Sequence, residues 1–463
     1  MKRFEKTCVG LLVVATAVPL WSQVDNPPTQ PVAAYGTGSG TENTDSRMMT
    51  PPPVSGQTYP AAPASQERSN YLQAGVTFSS AYSDNLVGST GSNSGPVSDE
   101  SYSVFPTLAL NETTTRLHFT LTYAPGFTFY QHTSSLNQAN QNASIDFQYR
   151  LSPHVTFSAR DSFQKSSNVF NQPDLASAET VSGGAQVPNF SVIAPIADRI
   201  SNFGNVGITS QFAANGMVGA SGTFANLHYP NATEVPGLSD SSSQGGSVFY
   251  SFRAAKIHYV GVTYEYQRLV SNPTEGQNET QTHAVLFFYT LYATSRFSLS
   301  LFGGPQHSDT VQPPQPPLQV QPTPLRAWTP AAGASLSWQG RLSSLAVSYS
   351  HIISGGGGLF GAVHMDSASA SIRQQFTRNL GGSLAGSYVQ NDVLGSVLLG
   401  GYNGHTVSGT ASLQQQFGGH INLQLGYTRL HQDYSNVTVL SLTPNTNREF
   451  VSVSYQFSRP MGR

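Results

Sequence analysis

Toward its C-terminal end the chain reads Val451-Ser452-Val453-Ser454-Tyr455-Gln456-Phe457, bulky apolar residues alternating with small polar ones. A period of two belongs to a β-strand whose faces meet different surroundings. The same alternation recurs in Leu117, Phe119, Leu121 and Tyr123, in Ile145, Phe147, Tyr149 and Leu151, and in Ile421, Leu423, Leu425 and Tyr427. Val248, Tyr250 and Phe252 share one face, and Val407, Gly409, Ala411 and Leu413 alternate with Thr406, Ser408, Thr410 and Ser412. Ala284 to Leu291 is apolar at every second position on both faces, so its inward side stays open.

From Tyr71 onward these runs are separated by connections that are short, then long, then short. Short ones fall near Asn111-Glu112-Thr113, Ser152-Pro153-His154, Ala214-Asn215-Gly216, Ala255-Lys256, Ala293-Thr294-Ser295, Gln339-Gly340-Arg341, Arg378-Asn379-Leu380 and Gly418-Gly419-His420. Asn-Gly and Gly-Gly suit tight hairpins because such turns need positive φ. Long ones include Asp84 to Asp99, Lys165 to Arg199, His228 to Gln244, Pro305 to Pro330 and Asp392 to Asn403. The pattern predicts an all-β fold, a closed antiparallel transmembrane β-barrel of about eighteen strands with short periplasmic turns and long extracellular loops. Closure removes free sheet edges, and hydrocarbon tolerates no unpaired backbone. A β-sandwich or solenoid also alternates, but not with aromatic faces set against polar ones.

Composition sharpens this reading. Only 10% of residues are charged and 11% are aromatic, yet the mean hydropathy of -0.23 excludes a bundle of apolar membrane helices. A net charge of -2 gives no footprint for nucleic acid. Lys2, Arg3 and Lys6 before the apolar run Val9 to Leu20 match a secretory signal over residues 1–23, with cleavage after Ala17, within Ala15-Thr16-Ala17, or nearer Ser22. Residues 24–69, rich in Pro, Gly, Ser and Thr, read as a disordered periplasmic leader, and 70–463 as the barrel. The single cysteine, Cys8, precedes the apolar run, so the mature chain has neither a disulfide frame nor a cysteine metal site.

Candidate chemistry is sparse. Neither His-Glu-x-x-His, a P-loop nor Gly-x-Ser-x-Gly occurs, and the histidines, among them His118, His258 and His364, lack ligand spacing. No cofactor, metal or enzymatic activity is expected. Gly356-Gly357-Gly358-Leu359-Phe360-Gly361 fits a dinucleotide fingerprint but lies in a hairpin loop, without the strand before and helix after that such binding needs. With the bulky face toward lipid, Arg116, Asp146, Arg150, Arg160, Arg253, Glu265, Arg373 and Arg448 become pore-lining candidates. An arginine-rich wall favours anions. The alternative is that Arg116, Asp146 and Arg150 form cross-strand pairs that brace the wall.

Tyr82-Ser83-Asp84-Asn85, directly after the first strand, resembles the Tyr-x-Asp-Asn stretch of uncharacterised bacterial outer-membrane β-barrel porins. The final strand is similar to the aromatic-ending signal read by the barrel-assembly machinery, with Tyr455 and Phe457 as candidate recognition residues, although Ser458 to Arg463 follow. The resemblance implies a porin-like chain in the bacterial outer membrane, in contact with its lipid and lipopolysaccharide, passing small hydrophilic solutes. In general porins the third long loop folds inward, so the resemblance gives the Lys165 to Arg199 connection the same expected role, against an ordinary surface loop. Two other functions stay open: a barrel for surface polysaccharide export, and a structural or adhesive scaffold with a blocked lumen.

Overall fold

The computed structural model describes residues 69–86, 97–166, 198–230, 239–272, 277–294, 296–311, 324–358, 360–394, 403–435 and 445–460. The signal segment, nearly all of the leader and most of the Lys165 to Arg199 connection lie outside them. The described residues form one sheet of eighteen strands. The first six are β1 (Ser69–Ser83), β2 (Asp99–Thr113), β3 (Leu117–Tyr130), β4 (Gln138–Ser152), β5 (Val155–Ser166) and β6 (Arg199–Gln211). Then follow β7 (Gly216–His228), β8 (Asp240–Ala255), β9 (His258–Asn272), β10 (Asn278–Thr294), β11 (Phe297–Val311) and β12 (Leu325–Gln339). The last six are β13 (Ser343–Gly356), β14 (Phe360–Gln375), β15 (Leu380–Val393), β16 (Asn403–Phe417), β17 (Ile421–Tyr434) and β18 (Asn445–Pro460).

Every strand pairs antiparallel with the next, and β18 pairs with β1, with Val76 opposite Tyr455 and Phe78 opposite Val453, so the sheet is closed. Connections after even-numbered strands hold two to four residues, and those after odd-numbered strands three to thirty-two, which gives the barrel a turn end and a loop end. Hydroxyls close several turns: Thr114 Oγ1 accepts from Leu117 N at 3.0 Å, and Thr377 Oγ1 accepts from Leu380 N at 3.0 Å. Gly418, at φ 60°, supplies the left-handed residue of the turn before β17.

The two faces separate as alternation requires. Phe78, Leu108, Tyr123, Val206, Leu384, Leu425, Val451, Val453, Tyr455 and Phe457 are exposed on one face, as a wall meeting hydrocarbon must be. Residues on the other face touch strands that are not neighbours, which only the concave side of a barrel permits; Ile353 N of β13, for instance, donates to Gln306 Oε1 of β11 at 3.3 Å. On β10, Val285 and Phe287 point outward while Ala284, Leu286 and Phe288 point inward, which resolves the doubly apolar run. Inward rings also cover glycines of the adjacent strand: a Cβ at Gly126 would overlap Phe105.

The stretch from Pro305 to Pro330 differs from expectation. It is not all connection, because β11 runs on to Val311 and β12 begins at Leu325, with Pro305 opposite Pro330. Proline is excluded from a strand only where its missing N–H is needed, and β12 above Ala332 has no ladder to β13.

The loop-side mouth of the lumen

That missing ladder shapes the mouth. The pairing of β12 with β13 ends at Ala332 opposite His351, just before Pro330, which has no N–H to offer. Above this point β13 keeps only β14 as its partner, through Gly355 opposite Ala362 and, past a register shift, Gly356 opposite Phe360. The freed hairpin Ile352 to Ala362 leaves the wall and leans inward. Ile352 packs against Ala284, Leu286 and Ala331, and Ile353 packs against Leu269, Ala362 and Leu394, with Ile353 and Val363 fully buried. The backbone N–H that Ile353 would have given to β12 goes to Gln306 instead.

The tip of the hairpin is held by the opposite rim. Tyr229, just past β7, donates its hydroxyl to Gly357 O at 2.7 Å. Ser239, just before β8, donates both N and Oγ to Gly358 O, at 2.6 and 3.0 Å. Gly357 and Gly358 have φ of 66° and 93°, and a Cβ on Gly358 would overlap the Tyr229 ring, so glycine is needed for both backbone shape and close approach. Burial pushes the Tyr229 phenol up to about 12, partly offset by the charge of Arg199, so the phenol stays a donor. Between hairpin and wall remains a cavity of about 30 Å³ lined by Leu227, Ser243, Leu269, Thr280, Gly355 and Gly357, room for a water or two.

Other inward groups near the loop end are buried too. Arg199 and Arg448 are 6% and 7% exposed. Tyr434 bonds Thr406 Oγ1 at 2.9 Å and accepts from Asn391 Nδ2 at 3.4 Å. Asp99 opens β2 and accepts from His132 N, Thr133 N and Thr133 Oγ1, at 3.0, 2.8 and 2.6 Å, fastening the β3–β4 connection to the rim. Lower down, inward positions such as Thr107, Ala109, Ser383 and Ala385 are half-buried.

The candidates chosen from sequence fall at three levels. Arg116 lies exposed in the β2–β3 turn, not on a wall face, because β2 ends at Thr113. Arg150, Arg253 and Arg373 stand on inward positions close to the turn end, Arg253 with its Nε on Asn215 Oδ1 at 3.1 Å. Midway, Arg160 is paired with Asp146 across β4 and β5, Nε to Oδ2 at 3.0 Å. Glu265 is buried on the inner face of β9, and Arg448 lies in the mouth. Tyr455 and Phe457 point outward near the turn end of β18. Asp146 pairs with Arg160 across β4 and β5, and Arg150 N donates to Arg116 O at 2.7 Å where β4 passes the β2–β3 turn. Arg199, Tyr229 and the two glycines carry no periodic signal that marks them, since their partners lie across the mouth rather than along the chain.

No known family's sequence profile matches the chain, and no curated protein does. Its fold is similar to the crystal structure of OpdQ from Pseudomonas aeruginosa, at 12% identity and TM-score 0.41 over 84% of this chain and 99% of that one. It is also similar to OccAB4 from Acinetobacter baumannii, at 9% identity and TM-score 0.40 over 85% and 100%. A BenF-like porin from Pseudomonas fluorescens Pf-5 matches at 11% identity and TM-score 0.41 over 84% and 99%. The chain's own strands make it a closed, eighteen-stranded barrel of the outer-membrane kind, its mouth drawn in by its own rim.

Proposed function

We propose that the chain is an outer-membrane pore through which small hydrophilic solutes diffuse, narrowed at the loop-side mouth and leaning toward anions. One observation carries the reading: on β1 to β4 and β13 to β18 most inward positions are half-open to solvent toward the turn end and buried toward the loop end, as a funnel along that side of the lumen requires. A barrel of about eighteen strands is wide enough to hold water. The anion lean rests on the inward charges, Arg150, Arg160, Arg199, Arg253, Arg373 and Arg448 against Asp99, Asp146 and Glu265. Reversal potentials under a salt gradient test it. Anion preference that falls in the Arg150→Ser, Arg373→Ser double variant is expected; cation preference in the parent protein would overturn it.

A second reading, a scaffold with a blocked lumen, is favoured by the inner faces of β8 to β11, which are buried along most of their length. Absence of any current from a folded barrel would select it.

A further inference from the structure

The outer face of β4 to β7 departs from the rest of the wall. Asp161, seventh of the twelve residues of β5, points outward beside Phe163, at a depth where other sectors present only apolar side chains and rings. Among the described residues only Asn202 of β6 donates to it, Nδ2 to Oδ1 at 3.1 Å. Its cross-strand neighbours on the outer face are Ile145 of β4 and Gly204 of β6, with Ala159 next along β5 and Ala143 diagonal to it, so small side chains lie against the pair on two sides. The wall is also lowest here, since β5, β6 and β7 hold 12, 13 and 13 residues, fewer than any other strand described. A carboxylate facing hydrocarbon is unfavourable, and polar groups in such a place are usually satisfied by protein.

We propose that this sector is the interface with a second copy of the chain, centred on Asp161 and Asn202. Hydrogen-bond accounting selects the partner. After the bond within one chain, Asp161 keeps an acceptor in Oδ2, and Asn202 keeps its second amide N–H. A copy related by a twofold axis along the membrane normal offers the same two groups in inverse order. Asn202 of each chain then donates to Asp161 of the other, the reciprocity that an isologous contact demands. Ala143, Ala159 and Gly204 beside the pair leave room for the two walls to approach there, as small residues do between membrane helices.

The only cysteine is Cys8, so single-cysteine variants made with Cys8→Ser report cleanly. Ala159→Cys, on the proposed interface, is expected to give a disulfide-linked dimer in native outer membranes under mild oxidation. Leu413→Cys, outward on β16 at a distant part of the wall, is expected to give at least tenfold less. Adding Asp161→Leu and Asn202→Leu to Ala159→Cys keeps the wall apolar and foldable and is expected to cut the dimer at least fivefold, with heat-modifiable migration retained. Equal cross-linking at both positions, no cross-linking at Ala159→Cys, or full cross-linking in the Asp161→Leu, Asn202→Leu variant would each overturn the proposal.

Discussion

Releasing the β13–β14 hairpin should widen the mouth, and the magnitudes say which contacts hold it. Three bonds reach its tip, from Tyr229 Oη, Ser239 N and Ser239 Oγ. Removing the first by Tyr229→Phe costs about 1 kcal/mol, or up to about 3 if Gly357 O is left buried without a donor. Ile352 and Ile353 are 4% and 0% exposed, and burying each stabilises the docked hairpin by roughly 1.5–3 kcal/mol. The apolar anchor therefore outweighs the phenol. Truncating both isoleucines to alanine costs about 4–10 kcal/mol, comparable to the whole anchor. In single-channel recordings, Tyr229→Phe should leave the parent conductance dominant with at most brief larger openings. The Ile352→Ala, Ile353→Ala variant should conduct mainly in a larger state and admit larger polymers. Equal conductance and solute cut-off in the double variant and the parent would refute the constriction. A Tyr229→Phe effect as large as that of the double variant would refute the ranking of its contacts.

Four further outcomes are expected. Arg160→Ala should shift the reversal potential toward cations and Asp146→Asn toward anions, at a stability cost of no more than about 1 kcal/mol because both side chains are partly exposed; unchanged potentials would remove the pair from the conducting path. Asp99→Asn should raise amide hydrogen exchange over residues 131–137, where its bonds end, while thermal melting of the barrel stays put; unchanged exchange would contradict the role given to those bonds. The Tyr229 phenol has its folded value raised above the ordinary 10.0 to about 12, so its contribution is complete below pH 10 and is lost as pH rises toward 12. Mouth conductance should accordingly show no transition from this group between pH 7 and 9. Val453→Arg, facing lipid, should destabilise the folded barrel in bilayers by about 2–4 kcal/mol, and Ser452→Arg, facing the lumen, by far less; the reverse order would invert the wall.

The wall was legible in the sequence because a strand between lipid and water has only one way to arrange its side chains. Val451, Val453, Tyr455 and Phe457 announce their face by spacing alone, and seven of the eight short turns lie where glycines, asparagines and hydroxyls interrupt the alternation, the exception being Lys256-Ile257. The mouth was not legible, since it depends on a ladder that fails to form. Pro330 marks the place, but a proline reads locally as loop, and nothing in the spacing of Gly357 and Gly358 says that Tyr229, more than a hundred residues earlier, caps them. The glycine run looked like a stray fingerprint; its glycines serve φ and close approach at the hairpin tip instead. Charge placement was read by parity, which has no meaning for Arg116, one residue before β3 begins.

The central claim, a closed barrel with a water-filled path narrowed at one end, is tested most directly by recording the refolded protein in planar bilayers while neutral polymers of graded size are added to one side at a time. The account predicts discrete open steps, with polymers entering farther from the turn end than from the loop end. A folded, heat-modifiable barrel that never opens, or one that admits the same polymers equally from both sides, would contradict it.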